Sequence, residues 1–130
     1  METTLERTPR PTFGFPLLDQ LRERDYLSPT KFIDLLKIDV ATFADRAHVH
    51  RNTVSRAPES ATVQDHIRQN VRVLRAVYDL NGGDMDRALV WFKNEPIREF
   101  DYKTPEMVVA EGRADAVIKL LEMYDAGATG

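Results

Sequence analysis

Helix boundary signals recur along almost the whole chain, and they restrict the fold more than any other feature of the sequence. Ser28-Pro29 and Thr104-Pro105 each combine an N-cap residue with a proline at the first helical position. Asp39 and Asp84 stand where aspartate caps a helix, and Gly82-Gly83 stands where glycine ends one. No segment shows the sustained alternation of apolar and polar residues that is typical of a half-buried strand. The sequence therefore predicts an all-α protein.

The predicted helices combine these signals with apolar residues at three- and four-residue spacing. The longest helix opens with a capping box formed by Thr62 and Asp65, and the last helix is closed by Gly127. Both have apolar faces, made of Ile67, Val71, Leu74 and Tyr78 in the first and of Val117, Leu120, Leu121 and Tyr124 in the second. The predicted bounds are Val40 to Ala47, Arg51 to Ala57, Val63 to Leu80, Met85 to Lys93 and Ala114 to Ala126, with further helices opening at Pro29 and Pro105.

Composition excludes several classes of protein and of site. The chain has no cysteine, which removes disulfides, thiolate metal sites and cysteine nucleophiles. No apolar run approaches a membrane span, and residues 1–11 lack the apolar stretch of a signal peptide, so we expect a cytoplasmic protein with no membrane partner. The pair His48 and His50 has no third metal ligand nearby, and Ser55 has no oxyanion hole. We therefore expect no catalytic activity, no metal and no cofactor.

Positive charge is concentrated in one segment of an acidic chain. Residues 46–75 hold six arginines and only two acidic residues, whereas the formal net charge of the whole protein is −3. All three histidines lie in the same segment. Such a cluster is typical of a patch that contacts phosphate groups. A solvated helix face would have the same composition, and charge alone does not separate the two interpretations.

Within this segment, the spacing predicts a helix-turn-helix. Val40 to Ala47 forms the first helix, His48 to His50 the turn and Arg51 to Arg56 the second helix, with Val49 and Val54 packing inward. Arginine and asparagine suit base edges, and arginines on the next helix suit phosphates. The predicted DNA-binding residues are Arg51, Asn52, Ser55, Arg56, Arg68, Arg72 and Arg75. The segment resembles the recognition-helix region of the Xre family of helix-turn-helix proteins, although His48 stands where that family often has glycine. A helix pair of this composition is also compatible with plain bundle structure.

The C-terminal block has a second distinctive spacing. It contains Ala88 to Phe92 with the only tryptophan, then Pro96, then Phe100, then Pro105 to Val109, and Gly112 before the last helix. This order resembles the toxin-binding domain of the Xre/MbcA/ParS antitoxins. Phe92 and Val108-Val109 replace leucines that are usual there. Together the two blocks cover nearly the whole chain after residue 28, in the order that this family has.

The resemblance implies an antitoxin of a type II toxin–antitoxin system. Its partner would be a RES-domain toxin that consumes NAD or transfers ADP-ribose. The antitoxin would cover the toxin's active site with its own C-terminal region. The complex would repress its own operon by binding operator DNA, and the antitoxin would be a homodimer within a hetero-oligomer. The candidate toxin-binding residues are Trp91, Arg113, Asp115, Lys119, Glu122 and Gly127.

Residues 1–15 contain Pro9, Pro11 and Gly14 and have no helical or alternating periodicity, so we expect them to form a flexible arm. For the rest of the chain, the resemblance suggests an Xre-like helix-turn-helix domain at residues 16–83 and a small helical toxin-binding domain packed against it at residues 84–130. A free-standing helix-turn-helix repressor, whose C-terminal part only dimerises, is the alternative function. A RES-domain toxin encoded beside the protein would decide between the two.

Overall fold

The computed structural model describes residues 15–129, and over that range the protein is mostly helical. The described residues contain eight α-helices and one short 3₁₀ helix, Arg98–Phe100. In chain order the α-helices are α1 (Leu17–Leu21), α2 (Pro29–Leu36), α3 (Val40–Ala47), α4 (Arg51–Arg56), α5 (Ala61–Leu80), α6 (Met85–Asn94), α7 (Pro105–Ala110) and α8 (Ala114–Thr129). No helix within residues 15–129 is long and apolar enough to span a membrane.

One element corrects the all-α prediction. Strands β1 (Arg22–Glu23) and β2 (Tyr26–Leu27) form an antiparallel hairpin in which Arg22 pairs with Leu27. Strands of two residues are too short to produce a recognisable alternating pattern. The hairpin is tied to α5 by Gln64, whose side-chain amide accepts a hydrogen bond from Leu27 N and donates one to Leu27 O, each 2.8 Å long.

Four predicted helix caps are present in the structure. The side chains of Ser28, Asp39, Asp84 and Thr104 each accept a hydrogen bond from the backbone N–H three residues further on, over 3.1, 2.7, 3.0 and 3.3 Å. These bonds satisfy N–H groups that have no partner inside the helix. The Thr42 N–H lowers the pKa of Asp39, because it stabilises the ionised cap.

Two predicted helix boundaries are wrong. α5 begins at Ala61, with Ser60 at the N-cap and no side-chain capping hydrogen bond, so Thr62 and Asp65 do not form the predicted capping box. The Asp65 side chain instead accepts a hydrogen bond from Gln69 Nε2 at 3.2 Å. Gly127 does not end the last helix, which continues to Thr129. Among the described glycines, only Gly82, Gly83 and Gly112 adopt the positive φ of a helix-ending glycine.

α5 is the centre of the protein, because α2, α3, α6, α7, α8 and the second strand of the hairpin all pack against it. The buried apolar residues form one continuous cluster that joins both predicted domains, from Leu17 near the start of the described range to Leu121 on α8. The largest fully buried side chains in this cluster are those of Phe32, Phe43 and Phe92. The predicted stripe on α5 is buried at Ile67, Val71 and Leu74 and partly buried at Tyr78.

Two residues depart from their predicted environments. Tyr124, expected on the buried face of α8, is 46% exposed and lies beside Leu80 and Trp91 at the surface. Phe15, the last residue of the predicted flexible arm, is buried and packs edge-on against Tyr78, with 5.2 Å between ring centroids. Residues 1–14 of that arm lie outside the described residues.

Candidate functional site

The segment from α3 to α4 has the predicted helices and turn, except that α4 ends at Arg56, one residue before the predicted Ala57. A three-residue turn, His48 to His50, joins the two helices. Val54 is buried and Val49 is half-buried, so α4 is anchored through the side chains that were expected to face inward. His50 caps α4, because its Nδ1 accepts a hydrogen bond from Asn52 N at 3.1 Å.

His48 explains how the turn forms without glycine. Its backbone is left-handed, with φ of 60° and ψ of 40°, a conformation that non-glycine residues adopt only at some cost. Its ring is held in place, since the Nε2–H donates a hydrogen bond of 2.7 Å to the carbonyl oxygen of Ala110 at the end of α7. The turn is therefore tied directly to the C-terminal part of the chain.

α4 presents a polar face to solvent. All four residues predicted to contact DNA there, Arg51, Asn52, Ser55 and Arg56, are exposed. The Ser55 hydroxyl donates to the Asn52 carbonyl oxygen at 3.2 Å, and neither arginine forms an ion pair with another described residue. The two guanidinium groups are thus available to an external anion.

The three predicted phosphate contacts on α5 differ from one another. Arg72 donates to Asp115 of α8 at 2.8 Å and to Gln69 at 2.6 Å. Arg75 lies 3.6 Å from Asp79 and stacks over the Phe15 ring, with 5.3 Å from its guanidinium carbon to the ring centroid. Arg68 is exposed and has no ion pair with a described residue. Only Arg68 of this set combines solvent exposure with an uncommitted guanidinium group.

The candidate toxin-binding residues also differ in whether their side chains are held by other residues of the protein. Asp115 is paired with Arg72, and Arg113 stacks over the Phe100 ring at 4.9 Å while lying 3.6 Å from Glu111. Lys119, Glu122 and Gly127 are exposed along α8. The structure does not gather the six residues into one site, but it brings Trp91 and Glu122 to a common surface.

That surface, which we call the α5–α6–α8 surface, consists of adjoining hollows at the C-terminal end of α5. Leu80, Trp91 and Tyr124 line its centre, and Val90 extends it along α6. Val90 is 62% exposed, Leu80 39% and Tyr124 46%, and what makes these side chains informative is that they adjoin one another. Five carboxylates and one arginine surround these residues: Asp79, Asp86, Glu95, Glu122, Asp125 and Arg87. The surface is apolar in the middle and acidic at its edge.

Sequence reasoning did not find Leu80, Val90 and Tyr124 as members of a surface. One signal was present, because Leu89 to Phe92 are four consecutive apolar residues on one helix and cannot all face the core. Burial, and then the charges of Glu99 and Glu95, raise the pKa of Tyr124, because each disfavours the charged phenolate.

A separate cavity of about 490 Å³ lies where α3, α5 and α7 meet. His48 and His66 line it together with Arg46. Burial first, and then the charges of His48 and Arg46, lower the pKa of His66 to about 4, so its ring is neutral near pH 7. Glu106 lies on α7 close to Arg46 of α3, and burial raises the pKa of its carboxyl group. Residues 15–129 contain no cluster of three His, Asp or Glu side chains that could hold a metal ion.

Comparison of the chain with protein families, with curated proteins and with solved structures gives no significant match.

Proposed function

We propose that this protein is an antitoxin that neutralises a RES-domain toxin and represses its own operon through DNA. The proposal rests on the resemblance of the two sequence blocks to the Xre/MbcA/ParS antitoxins. The exposed apolar, acid-edged α5–α6–α8 surface is the structural observation that carries it, because large exposed apolar patches are typical of protein interfaces. In this proposal residues 16–83 are the DNA-binding domain and residues 84–130 the toxin-binding domain.

Charge supports a RES-domain toxin as the partner. An enzyme that binds the pyrophosphate of NAD needs a basic cleft, and the α5–α6–α8 surface has a large excess of carboxylates at its edge. Trp91 has the size and rigidity of an interface anchor and lies at the junction of two of the hollows. Trp91 and Glu122 are then the toxin-binding residues best supported by their positions. Arg113 and Asp115 would mainly hold α8 in place.

DNA binding is supported by the exposed face of α4. Arg51 and Asn52 lie at the first turn of a short helix whose opposite side is buried through Val54, as direct readout of a major groove requires. The His48–Ala110 hydrogen bond fixes the turn before α4. The orientation of α4 is therefore set in part by the region that we assign to toxin binding.

Co-expression with the product of the neighbouring gene, which this proposal expects to be a RES-domain toxin, tests the inhibitory function. The variant V90K/Y124K places two positive charges on the α5–α6–α8 surface, and V40K/Y102K is the matched control, since Val40 and Tyr102 are exposed elsewhere. We expect the wild-type protein and the control to protect cells and to co-purify with the toxin, and V90K/Y124K to do neither. Far-UV circular dichroism checks that all variants are folded. Protection by V90K/Y124K equal to that of the control would contradict this placement of the interface.

Deletion of α8 is a poorer test, because Val117, Leu120 and Leu121 are buried and their removal would expose the core.

Fluorescence anisotropy on the promoter DNA tests the second activity. We expect R51A/R56A to weaken binding by about 1–3 kcal/mol for each base-edge contact that is lost, and R68A, which removes a predicted phosphate contact, to reduce the slope of log affinity against log salt by about one. The matched control is R98A, which removes an exposed arginine far along the chain from α4. DNA binding without any binding of the toxin would favour the free-standing repressor instead.

A further inference from the structure

A second groove along α5 has the make-up of a site for an amphipathic anion. It has a volume of about 420 Å³ and lies between α1, the hairpin and α5. Its floor is apolar and includes Phe15, Leu27 and Val71, each at most 5% exposed. This volume is within the range of pockets that hold small molecules. We call it the basic groove because arginines line it.

Four arginines line the basic groove from its two sides. Arg22 stands on β1, and Arg68, Arg72 and Arg75 follow one face of α5 at helical spacing. One carboxylate, Asp65, lies among them and accepts a hydrogen bond from Gln69. The lining therefore has a clear excess of positive charge above an apolar floor.

Two of these arginines have no counter-charge in the described part of the chain. Arg72 is held by Asp115, and Arg75 by Asp79 and the Phe15 ring. Arg22 and Arg68 are exposed and form no ion pair with any residue between 15 and 129. A guanidinium group prefers a carboxylate or phosphate that accepts two parallel hydrogen bonds. One uncommitted arginine therefore stands on each side of the groove.

The side chains at the bottom of the basic groove indicate what the uncharged part of a ligand would be. A nucleobase needs an open aromatic face for stacking, but Arg75 already covers the face of Phe15 and Tyr78 meets that ring edge-on. The remaining floor is aliphatic. We propose that the basic groove binds an aliphatic anion, a hydrocarbon chain ending in a carboxylate or phosphate, with Arg22 and Arg68 holding the charged group. The groove shares Arg68, Arg72 and Arg75 with the predicted phosphate contacts to DNA, and Arg75 pairs with Asp79 at the edge of the α5–α6–α8 surface, so anion binding is measured with neither DNA nor toxin present.

Isothermal titration calorimetry tests the proposal on the full chain, with dodecanoate, dodecyl phosphate and 1-dodecanol below their aggregation limits. We expect dodecanoate or dodecyl phosphate to bind, 1-dodecanol to bind at least about tenfold more weakly, and R22A and R68A each to weaken anion binding about tenfold. The control R98A should bind as the wild type does. Since Arg22 and Arg68 are exposed and unpaired among the described residues, both variants are expected to fold, which thermal unfolding checks.

The relative affinity for the two anions identifies the preferred headgroup. Equal binding of dodecanol and dodecanoate, unchanged affinity in R22A and R68A, or no binding of either anion would overturn the proposal. If R22A and R68A weaken duplex DNA binding while neither anion binds, the two arginines contact the DNA backbone and the groove is not a ligand site.

Discussion

Acidification should destabilise this protein through His66. The ring lies in the cavity between α3, α5 and α7, with its centroid 5.4 Å from that of Phe43, and the pKa is lowered from the ordinary histidine value of 6.5 to about 4. Because the folded pKa lies below the unfolded one, the unfolded chain takes up a proton first as the pH falls. The stability contributed by the neutral ring is therefore complete above pH 6.5 and is lost between pH 6.5 and pH 4.

The magnitude follows from the two pKa values. Each pH unit between them is worth about 1.4 kcal/mol, so the free energy of unfolding should fall by about 2 kcal/mol between pH 7 and pH 5 and by about 3 kcal/mol in all. Burial raises the pKa of Glu106, which adds stability on protonation and partly offsets the loss. A comparison with a variant that lacks only the histidine separates the two effects.

Urea denaturation at several pH values, followed by circular dichroism, measures the effect in the wild type and in H66Q. Glutamine does not titrate, and its side-chain oxygen can accept the hydrogen bond that Asn70 Nδ2 makes with the His66 ring at 3.3 Å. We expect the wild type to lose about 2 kcal/mol more than H66Q between pH 7 and pH 5. An NMR titration of the ring should have its midpoint near pH 4. Parallel pH profiles of the two proteins, or a midpoint near 6.5, would refute this assignment.

Three further predictions concern stability and are measured by urea denaturation at pH 7. H48G should be more stable than H48A by about 1 kcal/mol. Both variants lose the hydrogen bond to Ala110, but the left-handed backbone at this position is strained for alanine and not for glycine. Equal stabilities would mean that the left-handed turn carries no strain. Q64A should lose about 1–3 kcal/mol because it leaves both polar groups of buried Leu27 unpaired, whereas Q69A, on the same helix but with exposed hydrogen bonds, should change little. F92A should lose about 3–5 kcal/mol by opening a cavity in the core, and a loss under about 1 kcal/mol would show that the core collapses around it.

The polar face of α4 was predictable from sequence because it depends on local spacing. Val54 was assigned to the buried side and Arg51, Asn52, Ser55 and Arg56 to the outside, and the structure has the same arrangement. Burial of one position on a six-residue helix decides the direction of all the others, so no distant contact is needed. Local spacing does not predict the ion pair of Arg72, because its partner Asp115 is 43 residues away in the chain.

The α5–α6–α8 surface could not be predicted because it exists only where three helices meet. Tyr124 fits the apolar spacing of α8 as well as Leu121 does, yet Leu121 is 4% exposed and Tyr124 is 46% exposed. The difference depends on which neighbouring helices cover each position, and no local pattern contains that information. The basic groove has the same origin, since Arg22 belongs to a hairpin too short to be recognised in sequence.

The sequence by itself determined where most helices begin and which of their faces are buried. Each of four capping side chains accepts a hydrogen bond from a backbone N–H three residues away: Ser28, Asp39, Asp84 and Thr104. An interaction between residues so close in the chain can be predicted from the local sequence. Only the tertiary structure decided which of the exposed residues act together. His48 bonds to Ala110, 62 residues further on, because the packing of α7 against α3 brings them within 2.7 Å. Such pairings depend on how whole helices pack around α5, and side-chain spacing along one helix carries no information about the neighbour that it will meet.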